Sequence, residues 1–154
     1  MPRIDLDAIA QSNATGYPAP FDRAVEGRWW RRLAPAAGLT DFCASHVVLK
    51  PGAWSSQRHW HDGEDELLVM IAGEAVLVED EGRTIVRAGD IVAWAKGVEN
   101  GHHLINESPS DCVFVCVSGG DRDGGGAYSD IDMVFNAEGY FHKDGTPYPA
   151  ERLP

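Results

Sequence analysis

Short apolar runs separated by turn residues make up the middle of the chain. They lie at 42–50, 54–61, 66–72, 75–79, 83–87, 91–95, 102–106 and 112–118. Turn-forming residues connect them, as at Gly73-Glu74, Asp80-Glu81-Gly82 and Ala88-Gly89-Asp90. Helical periodicity is nearly absent from this region. Short strands at such a spacing predict an all-β fold, built as an antiparallel sandwich or barrel.

The strand predicted at 66–72 is apolar on both of its faces. Because side chains alternate along a strand, the face that carries Glu66 also carries Leu68 and Met70. The other face consists of Leu67, Val69 and Ile71. A strand that is apolar on both faces needs cover on both, from the N-terminal arm, the C-terminal arm or a second subunit. We therefore predict a homodimer, with cover by an arm of the same chain as the alternative.

The length, charge and N-terminus of the chain narrow the class of protein. A chain of 154 residues predicts one domain with a sizeable core. Its formal net charge of −11 would repel phosphate backbones, so we expect no nucleic-acid partner. No apolar run approaches the roughly 20 residues of a membrane helix, and residues 1–5 lack the profile of a signal peptide. These features predict a cytoplasmic protein without a membrane partner.

The cysteines are expected to be buried and reduced, because their neighbours are apolar. Cys112 and Cys116 lie on one predicted strand, about 13 Å apart at roughly 3.3 Å per residue. A disulfide needs Cα atoms within about 7 Å of one another, so these two cannot form one. Together with Cys43 they show no paired spacing typical of a metal site.

Histidines and a glutamate interrupt the apolar pattern at 59–66. His59 and His61 are two positions apart, so in a strand they share one face. Glu66 begins the next strand and can face both imidazoles if that strand pairs back on the first. Two neutral imidazoles and a carboxylate suit a divalent transition metal, whereas a lone histidine would more simply be a polar strand residue. His102 is a further ligand candidate; His103, on the opposite face, is expected to point outward or to support the ligands.

Glycines placed around these candidates make the pattern resemble the cupin superfamily. The residues that resemble its first motif are Gly52, His59, His61, Glu66 and Gly73. Those that resemble its second motif are Gly89, Gly97, His102 and Asn106. The sequence departs from the pattern in one extra residue before His59, in Ala95 where a proline is usual, and in a longer spacing from Gly97 to His102. These differences affect loop lengths and leave the ligand types unchanged.

The resemblance implies a double-stranded β-helix, the cupin jelly-roll barrel, with an arm at each end. We place the barrel at 42–118, an N-terminal arm that packs on it at 1–41, and a Gly-rich linker with a C-terminal arm at 119–154. By composition 119–126 is a flexible linker, and 128–135 alternates enough to predict a strand. Segments such as 142–148 resemble a group of small single-domain cupins described as uncharacterised or as sugar-phosphate isomerases.

The same resemblance implies one divalent transition metal, with zinc, iron, manganese and nickel all suitable. Its ligands would be His59, His61, Glu66 and His102. Three functions fit such a site. The first is a metal-dependent isomerase or epimerase, in which the ion acts as a Lewis acid on a small polar, sugar-like substrate. The others are an iron-dependent dioxygenase and a non-catalytic cupin that binds a small molecule.

Candidates for a catalytic base or for substrate contact are less sharply indicated. Gln57 shares the strand parity of His59 and His61, and Lys96 precedes His102, so either could touch a bound substrate, with a solvated loop residue as the alternative for Lys96. Aromatic and other side chains that could line the barrel mouth, or otherwise belong to the core, are Trp54, Met70 and Trp94. Candidates for a lid in the arms are Tyr17, Tyr128, His142 and Tyr148. The arginines of the N-terminal arm, including Arg28, are expected to be solvated or paired, with an anion site as the alternative.

Overall fold

The computed structural model of the protein describes residues 3–149, and most of its regular structure is β-strand. The strands are β1 (Arg28–Arg32), β2 (Cys43–Leu49), β3 (His59–His61), β4 (Glu64–Ala72), β5 (Glu74–Glu79), β6 (Gly82–Arg87), β7 (Ile91–Trp94), β8 (His103–Ile105), β9 (Cys112–Gly120), β10 (Gly126–Tyr128), β11 (Val134–Asn136) and β12 (Gly139–Phe141). The helical segments are one α-helix, α1 (Leu33–Ala36), and two 3-10 turns, Leu6–Ala8 and Arg23–Val25. The predicted all-β class is confirmed.

The strands form three sheets, and all the strand pairs are antiparallel. One sheet has the order β1-β2-β9-β4-β7, the second β12-β11-β10-β3, and the third β6-β5-β8. The pairing of β4 back on β3, the condition under which Glu66 was expected to face the histidines, does not form, because β3 pairs with β10 of the C-terminal arm. Glu66, on β4, therefore reaches the histidines of β3 from a different sheet.

The core lies between the inward faces of these sheets, as the alternation of β4 predicts. Leu68 and Met70 are 3% and 2% exposed and pack in the main hydrophobic cluster. Leu67 and Ile71, on the opposite face of β4, are 39% and 52% exposed. Within residues 3–149 neither arm covers that outer face. The two-faced pattern of β4 is thus confirmed, and its outer face is solvent-accessible in the single chain.

Both arms contribute to the sheets. β1 belongs to the N-terminal arm and extends the larger sheet by pairing with β2. The Gly-rich linker is held to the β3–β4 turn, since Asp121 donates its backbone N–H to Gly63 at 2.9 Å. The single strand predicted at 128–135 is wrong, because β10 ends at Tyr128 and β11 begins at Val134. Residues 1–2 and 150–154 of the predicted arms lie outside the described residues.

The cysteines and Asn106 show how tightly the barrel is packed. Cys112 is fully buried and Cys116 half-buried, but Cys43 is exposed, so its predicted burial is wrong. It occupies the first position of β2, at the end of the sheet. Asn106 is fully buried and donates its side-chain N–H groups to the carbonyls of Leu49 and Ser110.

No helix within residues 3–149 has the length and apolar character needed to cross a membrane.

Candidate metal centre

The two histidines of β3 and the glutamate of β4 converge on one point. The Nε2 atoms of His59 and His61 lie 3.2 Å apart, and Oε1 of Glu66 lies 3.6 Å from His61 Nε2. Potential ligand atoms of these three residues all lie within 4.8 Å of one another. Neighbouring donors that are each about 2.1 Å from an ion are about 3.0 Å apart in an octahedron and about 3.4 Å apart in a tetrahedron. The three side chains could therefore hold a metal ion.

His102, just before β8, reaches the same place. Its backbone N–H donates to the carbonyl of His59 at 3.0 Å, and His59 returns a bond of 3.3 Å. This bridge sets the two imidazoles side by side, with ring centroids 5.4 Å apart. The Nε2 atom of His102 lies 2.8 Å from Oε2 of Glu66. All four of the sequence-predicted ligands are thus brought together.

Backbone carbonyls orient two of these rings. Nδ1 of His59 lies 2.9 Å from the carbonyl oxygen of Gln57, and Nδ1 of His102 lies 3.3 Å from that of Asn100. A ring that donates its Nδ1–H to a carbonyl carries its lone pair on Nε2. For His59 this is the tautomer that a metal ligand requires. The 2.8 Å contact between His102 Nε2 and Glu66 is a hydrogen bond when that nitrogen carries the proton, and a metal ion would take the place of this proton.

The protonation states of the site also suit a metal. Burial lowers the pKa of His59 to about 4, so its imidazole is neutral at pH 7. Burial alone would raise the pKa of Glu66, but the hydrogen bond with His102 and the nearby imidazoles outweigh it and lower this pKa to about 2. Neutral imidazoles and an ionised carboxylate are the forms that bind divalent ions.

A cavity of about 350 Å³ opens over these ligands. Its walls are largely aromatic and include Trp30, Trp94, Tyr128 and Phe135. The ring of Phe135, from β11, has its centroid 5.2 Å from that of His61. The C-terminal arm therefore forms one wall of the cavity, through Tyr128, Phe135 and Tyr140.

Several predicted substrate contacts lie elsewhere. Among the described residues, neither Gln57 nor Lys96 lines this cavity, because Gln57 donates its side-chain amide to the Phe21 carbonyl and Lys96 is exposed. His103 is 4% exposed, so its predicted outward orientation is wrong. Its Nδ1 lies 2.9 Å from the Ser56 carbonyl, and its ring packs against Trp54.

The predicted lid residues separate into two groups. Tyr17 and Tyr128 are buried and line the cavity as fixed wall residues. His142 and Tyr148 stack on each other with ring centroids 3.9 Å apart and lie outside the lining. The lining also includes residues that the sequence did not place at the cavity, among them His103, Arg28, Trp30, Phe135 and Tyr140. In the sequence, the cluster of aromatic and basic residues at 27–32 is the feature that could have pointed to Arg28 and Trp30 as residues of a site.

Comparison with known proteins agrees with this architecture. Residues 45–118 match the family model described as the cupin domain. A sugar phosphate isomerase of the cupin superfamily from Silicibacter pomeroyi has a crystal structure that superimposes with a TM-score of 0.91. The two sequences are 37% identical over 97% of this chain and 98% of that chain. The chain belongs to the cupin superfamily. Its antiparallel sheets are those of the cupin fold.

More distant structures share the fold of this cupin. A proposed sugar phosphate isomerase from Acidithiobacillus ferrooxidans is 19% identical, with a TM-score of 0.69 over 82% of this chain and 81% of that chain. The polyketide cyclase RemF from Streptomyces resistomycificus is 18% identical, with a TM-score of 0.62 over 77% and 79%. At these identities the likeness concerns the fold alone. No match was found among proteins of curated function.

Proposed function

We propose that this cupin is a metal-dependent enzyme that isomerises or epimerises a small, polar, sugar-like substrate. The observation that carries the proposal is the group formed by the imidazoles of His59 and His61 and the carboxylate of Glu66, whose potential ligand atoms lie within 4.8 Å of one another. The imidazole of His102, 2.8 Å from Glu66, would be the fourth ligand. The name of the Silicibacter pomeroyi relative, a sugar phosphate isomerase, supports the same class of substrate.

His59, His61, Glu66 and His102 would hold the ion and would leave room on it for substrate oxygens. A bound divalent ion would supply Lewis acidity toward a carbonyl or hydroxyl oxygen of the substrate. The protein itself would contribute orientation and exclusion of water. Aromatic walls such as Trp94 and Phe135 offer faces on which a sugar ring can pack. Tyr128 donates its hydroxyl to that of Tyr17 at 3.1 Å, which leaves the hydroxyl hydrogen of Tyr17 for a substrate oxygen.

Elemental analysis tests the metal centre. The wild-type protein, purified without chelators or a metal-binding tag, should contain about one transition metal per chain. The variants His59→Ala and His102→Ala should lose most of it. The control His142→Ala removes a histidine that pairs with Asp132 outside the cavity, and it should keep the metal. Equal metal content in all four proteins would disprove the centre.

A substrate screen tests the reaction class. Aldose and ketose phosphates are incubated with metal-free and metal-restored protein and followed by NMR. Interconversion that depends on the metal supports an isomerase or epimerase. Oxygen consumption with iron, and none of this interconversion, would assign the protein to the dioxygenases instead. Metal-dependent binding without turnover of any kind would make it a non-catalytic cupin.

We also propose that the protein is a homodimer that buries the outer face of β4 and β7. Ile91 is 64% exposed and lies in register with Val69, next to the exposed Leu67 and Ile71. Contiguous apolar surface of this kind is typical of an interface between subunits. Light scattering after gel filtration should give a dimer mass that Ile91→Lys reduces to a monomer. The control Ile85→Lys places the same change on β6, in another sheet, and should remain dimeric. A monomeric wild-type protein would disprove the proposal.

A further inference from the structure

We propose that Arg28 forms an anion-binding subsite in this cavity, which takes a carboxylate or phosphate group of the substrate. The inference extends the proposed function, because it adds a charged group to the substrate that the metal centre would bind. It starts from a cation that has no counter-ion.

Arg28 is half-buried, and most of its hydrogen-bonding capacity is unused. Its Nη1 donates to the carbonyl of Ser55 at 2.7 Å, whereas its Nε is buried without a partner. No ion pair to Arg28 forms within residues 3–149. Arg58 shows the usual arrangement by contrast, since it pairs with both Asp80 and Asp130. A buried polar group without a partner is unusual, and the cavity onto which Arg28 opens offers a place for one.

The groups around Arg28 are neutral donors. The residues that line the same cavity as Arg28 and lie close enough to interact electrostatically with its charge are Tyr17, Tyr128 and Tyr140. Burial raises the pKa of Tyr17 to about 12, so this phenol stays protonated at pH 7. Burial also raises the pKa of Tyr128 far above its usual value. Neither of these two phenols supplies the negative charge that would neutralise the guanidinium. Tyr128 donates its hydroxyl hydrogen to Tyr17, which leaves the hydroxyl hydrogen of Tyr17 to donate to an anion.

The charge balance of the cavity also favours an anion. Among the described lining residues, Glu66 is the carboxylate that faces the space. A divalent ion, one carboxylate and one guanidinium leave two positive charges uncompensated. The planar guanidinium fork matches the oxygen pairs of carboxylate and phosphate. A substrate with such a group would balance the charge and satisfy the free donors of Arg28 together.

Arg28 and the candidate metal ligands line one cavity, so one small molecule within it can contact both. The ring of Tyr128 has its centroid 5.6 Å from that of His59. Arg28 and His59 line the same cavity of about 350 Å³, which is near the lower end of the range for small-molecule sites. The substrate class is therefore a short polyhydroxylated anion that presents its oxygens to the metal and its charged end to Arg28.

Calorimetry on the metal-free protein tests the subsite, with inorganic phosphate, acetate and neutral glycerol as probes. Removing the metal ensures that a probe cannot simply coordinate the ion. We expect at least one anion to bind, glycerol not to bind, and Arg28→Gln to weaken anion binding at least tenfold. The control Arg23→Gln removes the same charge from an exposed arginine of the 3-10 turn Arg23–Val25 and should leave the affinity unchanged. Tighter binding of phosphate than of acetate assigns the subsite to phosphate, and the reverse order assigns it to carboxylate.

A second measurement needs no variant and so does not depend on the folding of Arg28→Gln. Butanedione modifies accessible arginines, and peptide mass mapping reads each site. A saturating anion should protect Arg28 and leave the modification rate of Arg23 unchanged. No anion binding to the wild-type protein, equal affinity in Arg28→Gln, or unprotected Arg28 would each overturn the inference. Metal content separates the subsite proposal from the metal-centre proposal. If the protein binds an anion through Arg28 but never takes up metal, only the metal centre is refuted. If it takes up metal normally but binds no anion, only the subsite is refuted.

Discussion

The indole ring of Trp94 stacks on the imidazole of His102, with centroids 3.8 Å apart and planes within 3° of parallel. Trp94 stands opposite Glu66 in the pairing of β7 with β4, and its Nε1 donates to Glu79 at 2.7 Å. The indole is thus held at its far edge while its face restrains the His102 ring. Trp94 therefore acts as a positioning residue for a candidate ligand and does not itself offer a metal donor.

Replacing Trp94 should weaken metal binding through loss of this restraint. For Trp94→Ala we expect a fall in metal affinity of about tenfold, a typical cost for removing a group that orients a ligand. Trp94→Phe keeps an aromatic face and should retain most of the affinity. Competition with a chromophoric chelator measures both variants. Wild-type affinity in Trp94→Ala would show that the stack contributes only packing.

Gly126 allows the C-terminal arm to lie against β3. A Cβ atom at this position would overlap the carbonyl oxygen of Trp60 and the ring of Phe135. Gly126→Ala should therefore cost about 3 kcal/mol or more of unfolding free energy, measured by urea denaturation. The control Gly119→Ala puts the new Cβ 3.5 Å from Phe42, an ordinary contact, and should change stability by less than about 1 kcal/mol. Similar losses in both variants would contradict this account of Gly126.

The pairing of Arg58 with Asp130 should make stability depend on pH. Arg58 donates to both carboxylate oxygens of Asp130, at 2.9 Å and 2.8 Å. The hydrogen bond from Arg58, more than its charge, lowers the pKa of Asp130. A carboxylate with a lowered folded-state pKa stabilises the protein above its ordinary pKa of about 3.9, and this contribution is lost as pH falls through the lowered value.

The comparison of wild type with Asp130→Asn isolates that contribution. The wild type should be more stable at pH 7, by a modest amount because Asp130 is largely exposed, and the difference should shrink as the solution is acidified below about pH 3.9. Asp123→Asn changes an exposed carboxylate in the β9–β10 turn and should give no such trend. Denaturant unfolding at several pH values measures both. A difference that stays constant with pH would exclude the ion pair as its cause.

The cysteines should differ sharply in reactivity toward iodoacetamide. Cys43 is exposed, whereas Cys112 is fully buried and burial raises the pKa of its thiol to about 11. Burial, with the nearby Glu66 carboxylate, raises the pKa of Cys116 to about 12. Because the thiolate is the reactive form, mass spectrometry after labelling at pH 8 should find modification at Cys43 alone. In denaturant all three should react, and rapid labelling of Cys116 in the folded protein would contradict its burial.

Local periodicity was enough to predict much of the fold. The spacing of His59 and His61 places them on one strand face, and the alternation of Leu67 with Leu68 separates exposed from buried positions on β4. Both follow from the two-residue repeat of an extended backbone, which neighbouring residues determine. The cupin spacing around Glu66 and His102 pointed to the same four ligands that lie together in the structure.

The same local patterns did not predict contacts between segments that are distant in sequence. The sequence suggested a contact of Glu66 with the histidines through pairing of β3 with β4, its neighbour in sequence. Instead β3 pairs with β10, where Gly126 lets that strand approach the carbonyl of Trp60. Because its neighbours in sequence are apolar, Cys43 was expected to be buried. It is exposed because it occupies the first position of β2, at the end of the sheet. Partner choice among similar strands depends on contacts between distant segments, and no local pattern records them.

By itself the sequence determined the all-β class and the alternation of the strands. It also determined which residue types could serve as metal ligands, because strand geometry and donor chemistry are properties of short segments. Tertiary structure alone decided that Glu66 approaches from another sheet and that the C-terminal arm walls the cavity. It also decided that Arg28 stands there without a counter-ion. Whether a charge is paired depends on every chain segment that packs around it, and only the folded chain brings those segments together.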